Sequence, residues 1–364
     1  MSKVFLSDVA VERRETCKGS KDGYPIVGLE HLTPEEITLT AWNEDSENTF
    51  TKMFRKGDIL FGRRRAYLKK AAVAPFDGIC SGDITVIQAK PDRILPELLP
   101  FIIQNDALFD FAVGKSAGSL SPRVKWEHLK NYEFELPEMD KQRELAGLLW
   151  AMDATRKSYQ RLITATDELV KSQFFGEFEA KRQSFNTCSL IAACKNDDDI
   201  KCGPFGTQLK QSEYTEEGIP VWGIPQVNAA FSIPADTYVS AEKALQLSTF
   251  LIQSDDIAMS RKGNIGQCAL YPADYTPGII ASDVLRIRPD KTKLLPSFLM
   301  YQLHYSSNVV NQIEMVGNGQ IMKGINVTKL KNITIYIPPM ELQEQFAAFV
   351  RQSDKSKYCL EKMM

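Results

Sequence analysis

The sequence lacks the markers of several protein classes. Its seven cysteines include no CxxC pair, so reduced thiols are expected rather than a disulfide framework or a zinc site. The three histidines, His31, His128 and His304, are scattered singly. No apolar run approaches the length that spans a bilayer, and the N-terminal residues contain no signal-peptide core. We therefore expect a cytoplasmic protein with no membrane-spanning segment.

Catalytic signatures are missing too. The tetrad of adenine methyltransferases needs Asn or Asp before Pro-Pro-aromatic, whereas residues 337–340 are Ile-Pro-Pro-Met. No GxGxxG follows a strand. A metal-dependent nuclease core needs Pro-Asp shortly before Asp/Glu-x-Lys, but residues 199–201 (Asp-Ile-Lys) lie far from residues 91–92 (Pro-Asp). The chain is therefore interpreted as non-catalytic, with no metal and no cofactor of its own.

The overall charge does not indicate a nucleic-acid-binding protein. There are 44 Lys and Arg against 46 Asp and Glu, a formal net charge of -2, whereas nucleic-acid binders usually carry a basic surplus. Basic residues are nevertheless clustered locally. Residues 54–70 contain seven Lys or Arg and one carboxylate, Asp58.

A long helix is predicted in the middle of the chain, over residues 137–178. Its side chains show a seven-residue repeat with apolar or small residues at two positions: Leu145, Met152, Tyr159 and Thr166 at the first, and Leu148, Thr155, Leu162 and Leu169 at the second. Such a repeat predicts a helix of about 60 Å that packs along another helix through this seam.

The second half of the chain repeats the first. Residues 136–142 (Leu-Pro-Glu-Met-Asp-Lys-Gln) align with residues 337–343 (Ile-Pro-Pro-Met-Glu-Leu-Gln) at an offset of 201, and Arg63 aligns with Arg261 at 198. This slow drift is typical of a duplicated domain with small loop insertions. The predicted order is a domain over 1–136, the long helix over 137–179, a domain over 180–337 and a shortened distal helix over 338–364.

The predicted fold class is α+β. Two similar domains are joined by long antiparallel coiled-coil helices, with a pseudo-two-fold internal repeat. Duplicated domains on a fixed spacer suit a target with two half-sites at a set distance, as in dimeric DNA binders.

Basic and polar residues in matching turns are the candidate DNA contacts, because such side chains can bind phosphates and base edges. In the first domain they are Arg63, Arg64, Arg65, Tyr67 and Lys69. In the second they are Thr207, Gln208, Lys210, Gln226, Asn228, Arg261, Lys262, Asn264 and Lys323. The glycine-rich turn at residues 203–206 could bring backbone amides close to a phosphate. For the basic turns the alternative is a solvated surface, and for each Asn or Gln it is a structural turn role.

The chain resembles the specificity (S) subunits of type I restriction-modification systems. The resemblance covers nearly the whole chain and rests on the order of domains and helices and on the repeated Leu/Ile-Pro-x-Met-x-x-Gln helix starts. It also rests on residues 203–206 (Gly-Pro-Phe-Gly), 218–221 (Gly-Ile-Pro-Val) and 261–266 (Arg-Lys-Gly-Asn-Ile-Gly). The first domain departs from the pattern, since residues 13–20 replace the Gly-Pro-Phe-Gly turn.

This resemblance implies two target recognition domains, each recognising one half of a bipartite double-stranded DNA site, with the paired helices as the spacer. It also implies methyltransferase (M) subunits that dock on the chain and bring S-adenosylmethionine, and a restriction (R) subunit that can join them. Two alternatives from other classes are a protein-interaction scaffold without DNA contact and a DNA nuclease with a degenerate core.

Overall fold

The structure is a computed structural model that describes residues 2–44, 48–118, 120–317 and 324–363. The chain divides into two units, Met1–Ser158 (unit 1) and Tyr159–Met364 (unit 2). The division falls inside the long helix, whose first part packs with unit 1 and whose second part packs with unit 2.

Unit 1 alternates short strands with short helices before the long one. Its elements are β1 (Ser2–Phe5), α1 (Leu6–Val9), β2 (Ala10–Glu12), β3 (Ile26–Val27), β4 (Lys52–Phe54), β5 (Ile59–Gly62), β6 (Ala71–Val73), β7 (Gly78–Cys80), β8 (Ile84–Ala89), α2 (Leu99–Ile103), α3 (Asp106–Gly114), α4 (Trp126–Leu129), β9 (Glu133–Leu136) and α5 (Met139–Phe174).

The strands of unit 1 form three sheets. One has the order β2-β8-β5-β6, the second β3-β7-β4, and the third pairs β1 with β9. Alternate residues of β5 face opposite sides, as strand geometry requires. Ile59 and Phe61 pack towards α2, α3 and α5, whereas Leu60 packs towards the three-stranded sheet. Because both faces are covered, β5 is a continuous apolar run rather than an alternating one.

Unit 2 continues from the end of α5 through a π-helical turn, Phe175–Glu179. Its further elements are β10 (Asn186–Ser189), β11 (Ile200–Cys202), β12 (Tyr214–Thr215), β13 (Ile219–Trp222), α6 (Ile224–Asn228), β14 (Tyr238–Val239), α7 (Ala241–Gln246), β15 (Leu251–Ile252), β16 (Ile257–Ser260), β17 (Cys268–Leu270), β18 (Gly278–Ile280), β19 (Val284–Ile287), α8 (Pro296–Tyr305), α9 (Ser307–Gly317), α10 (Val327–Lys331), β20 (Thr334–Ile337) and α11 (Met340–Glu361).

The sheets of unit 2 repeat those of unit 1. The order β11-β19-β16-β17 corresponds to β2-β8-β5-β6, and the pair β10-β20 corresponds to β1-β9. The parallel pair β13-β18 corresponds to β3-β7, and here β12 and β14 extend the sheet to five strands. The predicted α+β fold with an internal repeat is confirmed.

A buried glutamine explains the repeated helix-start motif. Gln142, 2% exposed, accepts a hydrogen bond from the Leu95 N–H at 2.8 Å and donates to the Pro137 carbonyl at 2.9 Å. Gln343, fully buried, accepts from the Leu295 N–H at 2.8 Å and donates to the carbonyl before its own helix in the same way. The side chain satisfies buried backbone groups that would otherwise be unpaired.

The long helix has the predicted extent but buries a different face. Leu148, Met152, Leu162 and Leu169, members of the predicted seam, are between 51% and 59% exposed. The buried positions are Gln142, Ala146, Asp153, Ile163, Val170 and Phe174. Moving along a helix by one residue turns the face by about 100°, so the buried stripe lies beside the predicted one. The sequence pattern selected the wrong stripe because the buried one contains Gln142 and Asp153.

Within unit 2, α11 runs antiparallel to the second part of α5. The ring centroids of Phe174 and Phe346 are 5.8 Å apart, and Lys357, later in α11, contacts Asp167, earlier in α5, at 2.7 Å. The expectation that the two helices pair therefore holds in this unit, but through Val170 and Phe174 rather than through the predicted seam.

Candidate nucleic-acid interface

The arginine-rich turn of unit 1 follows β5 and is held by backbone on two sides. The Arg63 N–H donates to the Asp83 carbonyl at 3.0 Å, and the Arg63 carbonyl accepts from the Val124 N–H at 3.0 Å. The Arg64 side chain is also fixed, since its Nε donates to Ser121 Oγ at 2.6 Å and its Nη1 lies 3.4 Å from Asp83 Oδ2. The turn is thus positioned by two segments that are distant in sequence.

Asp83 joins two arginines at this turn. Arg123 Nε donates to Asp83 Oδ1 at 2.7 Å, and this hydrogen bond is the main cause of the lowered pKa of Asp83. Arg123 was not among the predicted residues, because it lies 60 positions after Arg63 in the chain. The available signal was its place directly after residues 116–122, which align with residues 317–323 at an offset of 201.

The other predicted residues of unit 1 differ in whether their side chains are open to a ligand or bound to another residue. Arg65 adopts a left-handed backbone conformation (φ 55°) and is exposed, and the Tyr67 side chain is 53% exposed. Lys69 Nζ instead donates to Asp106 Oδ1 at 2.6 Å, which raises the pKa of Lys69. Arg65 and Tyr67 are therefore open to a ligand, whereas the charge of Lys69 is partly compensated.

An open cleft of about 690 Å³ borders this turn in unit 1. Its cationic side chains are Lys52, Arg63 and Arg123, and Asp83 is its carboxylate. Arg63 Nε is buried and has no hydrogen-bond partner among the residues that the structure describes. Arg63 is thus a cation that lines the cleft and has a buried Nε–H with no acceptor in the described part of the chain.

The matching arginine of unit 2 has the same backbone position but a different side-chain environment. The Arg261 N–H donates to the Asp283 carbonyl at 2.9 Å, and the Ile325 N–H donates to the Arg261 carbonyl at 3.1 Å. Arg261 Nε donates to the Ile325 carbonyl at 3.2 Å, its Nη1 lies 3.5 Å from Cys202 Sγ, and its guanidinium lies 5.0 Å from the ring centroid of Phe205. These contacts hold Arg261 within unit 2.

Lys262 is the unit 2 counterpart of Arg64. Its Nζ contacts Asp283 Oδ1 at 2.8 Å, as Arg64 contacts Asp83. Asn264, two residues further on, is exposed. Lys323 lies outside the described residues.

The glycine-rich turn of unit 2 has a structural role at its start. A Cβ on Gly203 would lie 2.2 Å from the Ala281 carbonyl oxygen, so only glycine fits where this backbone packs. Gln208 Oε1 accepts from the Phe205 N–H at 2.9 Å. Thr207, Gln208 and Lys210 are exposed and remain available as contacts at the end of the turn.

Gln226 and Asn228, predicted as base contacts, differ in burial. Gln226 is 2% exposed, accepts from the Gly223 N–H at 3.1 Å and donates to the Pro234 carbonyl at 3.2 Å. Both ends of its amide are thus engaged inside unit 2, and the structure does not support base contact by Gln226. Asn228 is exposed and accepts from Ser260 Oγ at 2.9 Å, beside the basic turn.

Among the described residues, no group of three or more His, Cys, Asp or Glu side chains is arranged to hold a metal ion. In the same residues, no helix has the length and apolar content needed to cross a membrane.

Comparison with known proteins gives a family match in both halves of the chain. The model of the type I restriction modification DNA specificity domain matches residues 3–165 and again residues 201–363. Each match contains one basic turn and one buried glutamine near the start of a long helix.

Relatives and solved structures agree with this match. The putative type I restriction enzyme MjaX specificity subunit of Methanocaldococcus jannaschii is 24% identical over 368 residues, covering 93% of this chain and 83% of the relative. The type I restriction enzyme EcoDI specificity subunit of Escherichia coli is 25% identical over 174 residues, 43% of this chain and 38% of its own length.

Two structures share the fold. A type I restriction-modification S subunit from M. genitalium has a TM-score of 0.59 at 14% identity and covers 100% of this chain and 91% of that chain. A chain from a structural study of complex assembly and conformational transition in the type I R-M system has a TM-score of 0.54 at 20% identity, covering 100% and 95%.

Proposed function

The chain belongs to the family of type I restriction modification DNA specificity domains, and from this we infer that it selects the DNA sequence on which a type I restriction-modification complex acts. The family supplies DNA recognition and not catalysis, so the chemistry belongs to partner subunits. The chain itself then needs no cofactor, and S-adenosylmethionine is bound by the methyltransferase (M) subunit. The site of action that we propose is the cytoplasm.

The observation that carries the proposal is the duplicated basic turn. Arg64 and Lys262 follow equivalent strands and are positioned by equivalent carboxylates, Asp83 and Asp283. Two similar recognition surfaces in one chain support a bipartite double-stranded DNA target, with one half-site for each unit. We assign target recognition to residues 1–136 and 180–337, and the spacer to residues 137–179 and 338–364.

The DNA contacts that we propose are the exposed members of the predicted set and the side chains around the two turns. In unit 1 they are Arg63, Arg64, Arg65, Tyr67 and Arg123. In unit 2 they are Thr207, Gln208, Lys210, Asn228, Lys262 and Asn264. Arginine and lysine suit phosphates and guanine edges, and asparagine suits adenine. Lys69 and Arg261 contribute charge while they stay bound to Asp106 and Phe205, and Lys323 extends the unit 2 set.

The exposed stripe of α5 supports a docking site for partner subunits. Leu148, Met152, Leu162 and Leu169 are apolar and more than half exposed, and such stripes commonly mark protein contacts. We propose that an M subunit packs a helix on this stripe through the seven-residue repeat. A restriction (R) subunit then joins the assembled complex.

Methylation mapping tests this function. The chain is co-expressed with the M subunit of its own system, and methylated motifs are mapped in the host DNA. A single split motif that disappears when the chain is omitted is the expected result. Methylation that persists without the chain would contradict the proposal and favour a protein-interaction scaffold.

Substitutions then assign the half-sites. Arg64→Gln should relax one half of the motif only, and Lys262→Gln the other half, because each lies in a different unit. Loss of one bidentate or charged base contact should reduce discrimination at its base by about tenfold. Among the described residues, Arg93 is an exposed cation that pairs with its neighbour Asp92. Arg93→Gln is therefore the control and should leave both halves unchanged.

A further inference from the structure

The open cleft of unit 1 contains more positive than negative charge. Lys52, Arg63 and Arg123 line it, and Asp83 is the carboxylate among the lining residues. The other polar residues that line it are Thr16, Thr49, Thr51 and Ser81. Since Asp83 already accepts two hydrogen bonds from Arg123, the other two cations are left without a full counter-charge inside the cleft.

Arg63 is the least satisfied of these cations. Its Nε is buried, and within the described part of the chain it donates to no acceptor. A buried donor without a partner is costly, more so when it carries charge. A buried polar group without a partner in a native structure calls for an explanation, such as a water or an ion that completes its hydrogen bonds.

Lys52 adds to the imbalance. Its Nζ donates to the Ile84 carbonyl at 2.7 Å, while the nearest Glu12 oxygen is 4.0 Å away. The pKa of Lys52 is lowered, mainly by burial, and Cys80 and Glu12 oppose this shift while the charge of Arg63 adds to it. An anion between Lys52 and Arg63 would relieve this repulsion.

Unit 2 shows the same site filled by the protein itself. Phe205, from the glycine-rich turn, covers the guanidinium of Arg261, whose Nε and Nη1 both have acceptors. In unit 1 the corresponding segment, residues 13–20, leaves Arg63 facing an open volume. The two units therefore differ in what faces the arginine, which is Phe205 in unit 2 and an open cleft in unit 1.

We propose that the cleft of unit 1 is an anion site that binds a phosphate group, with Arg63 as the central donor and Lys52 and Arg123 beside it. Arginine suits this role because its fork can donate two parallel hydrogen bonds to phosphate oxygens. The phosphate is either a phosphodiester of bound DNA, an assignment that rests on the function proposed above, or free inorganic phosphate. A phosphodiester held here would position unit 1 on the duplex without specifying a base.

The first experimental arm uses the full chain and inorganic phosphate. Thermal unfolding is followed with phosphate or chloride at equal ionic strength. Phosphate should raise the Tm of the wild type and of Arg93→Gln, because a ligand that binds only the folded state stabilises it. It should not raise the Tm of Arg63→Gln. Arg63→Gln should fold normally, since it removes a buried donor that lacks a partner.

The second arm uses the complex with its M subunit and DNA duplexes at several salt concentrations. Arg63→Gln should weaken binding to target and non-target duplexes alike by about tenfold, and it should reduce the salt slope by about 1. Arg63→Lys should keep the slope while losing part of the affinity, because it retains the charge without the bidentate geometry.

The outcomes of the two arms distinguish a phosphodiester of DNA from free inorganic phosphate as the ligand of the cleft. Loss of both the phosphate stabilisation and the DNA affinity in Arg63→Gln assigns the site to the DNA backbone, and loss of the phosphate effect alone assigns it to free phosphate. Wild-type behaviour of Arg63→Gln in both arms would overturn the proposal. Failure of the proposed function has a different signature, since the wild-type complex would then prefer no duplex while the phosphate arm stays informative.

Discussion

Arg63 of unit 1 and Arg261 of unit 2 follow equivalent strands, and both donate their backbone N–H to an aspartate carbonyl. Their side chains nevertheless differ in environment. Arg261 is stacked over Phe205 and donates to Ile325, whereas Arg63 faces an open cleft. The strand fixes the backbone position of the arginine. The loop that faces its side chain determines whether the guanidinium is covered or open to a ligand.

This difference separates the scaffold that the two units share from the loops in which they differ. The orders of the four-stranded and two-stranded sheets and the contacts of Gln142 and Gln343 are the same in both units. The loops that cover the basic turns differ, with residues 13–20 in unit 1 and residues 203–206 in unit 2. A recognition module built in this way can change its target while the core remains unchanged.

The shared scaffold contains a buried aspartate whose arginine partner differs between the two units. Asp58 and Asp256 are both buried at the start of equivalent strands, and each accepts from a backbone N–H three residues before it. Asp58 pairs with Arg13, which follows β2, whereas Asp256 pairs with Arg288, which follows β19. The carboxylate position is common to both units, and the arginine comes from a different segment.

The largest effect that we expect comes from removing these carboxylates. Asp256→Ala leaves Arg288, which it binds through two contacts of 2.6 Å, without its partner, and this should destabilise unit 2 by about 3 kcal/mol. Asp58→Ala should cost less, about 2 kcal/mol, because Arg13 also contacts Glu15. Amide hydrogen exchange of β16 and β19, compared with β5 and β8, measures each unit separately. Equal losses of stability in the two units would contradict this order and show that the pairs with Arg13 and Arg288 are equivalent.

A smaller effect should distinguish the two faces of α5. Leu162 is 51% exposed, whereas Ile163 beside it is 9% exposed. Leu162→Asp should leave folding unchanged and weaken binding of the M subunit by about tenfold or more. Ile163→Asp should instead destabilise unit 2, since it places a charge on the buried face. Calorimetric titration with the M subunit measures the first effect and thermal unfolding the second.

These two variants also control each other. If Leu162→Asp binds the M subunit like the wild type, the exposed stripe is not the docking surface. If it unfolds the protein, the stripe is part of the core after all.

Much of the fold could be predicted from the sequence because the same motifs occur in both halves of the chain. The motif that ends in Gln142 and Gln343 marks both helix starts, and the basic turns at Arg63 and Arg261 fall in equivalent places. The buried face of α5 was missed because polar side chains lie on it. Gln142 and Asp153 are buried with their hydrogen bonds or ion pairs made within unit 1, which hydrophobicity alone does not reveal.

The candidate site was less predictable because it is assembled from distant segments. Lys52 and Arg123 join Arg63 in one cleft, although they lie 11 positions before it and 60 after it in the chain. Gln226 has a suitable chemistry for base contact, but both ends of its amide are engaged inside the unit. Such outcomes depend on tertiary packing, and residue type alone does not determine them.

The smallest expected effect is a pH dependence of the stability of unit 2, caused by one residue that differs between the units. His304 of α8 occupies the place of Gln104, and burial lowers the pKa of His304 below its usual value. Its Nε2 accepts from the Cys268 N–H at 3.4 Å, which requires an unprotonated nitrogen. As pH falls below about 6.5, the unfolded chain takes up a proton that the folded unit resists, so the stability of unit 2 should decrease. Gln104 cannot titrate, and His304→Gln should therefore remove this pH dependence. Hydrogen exchange of β17 between pH 7 and pH 5, corrected for its intrinsic rate, measures the difference, and an unchanged dependence in His304→Gln would assign it to another group.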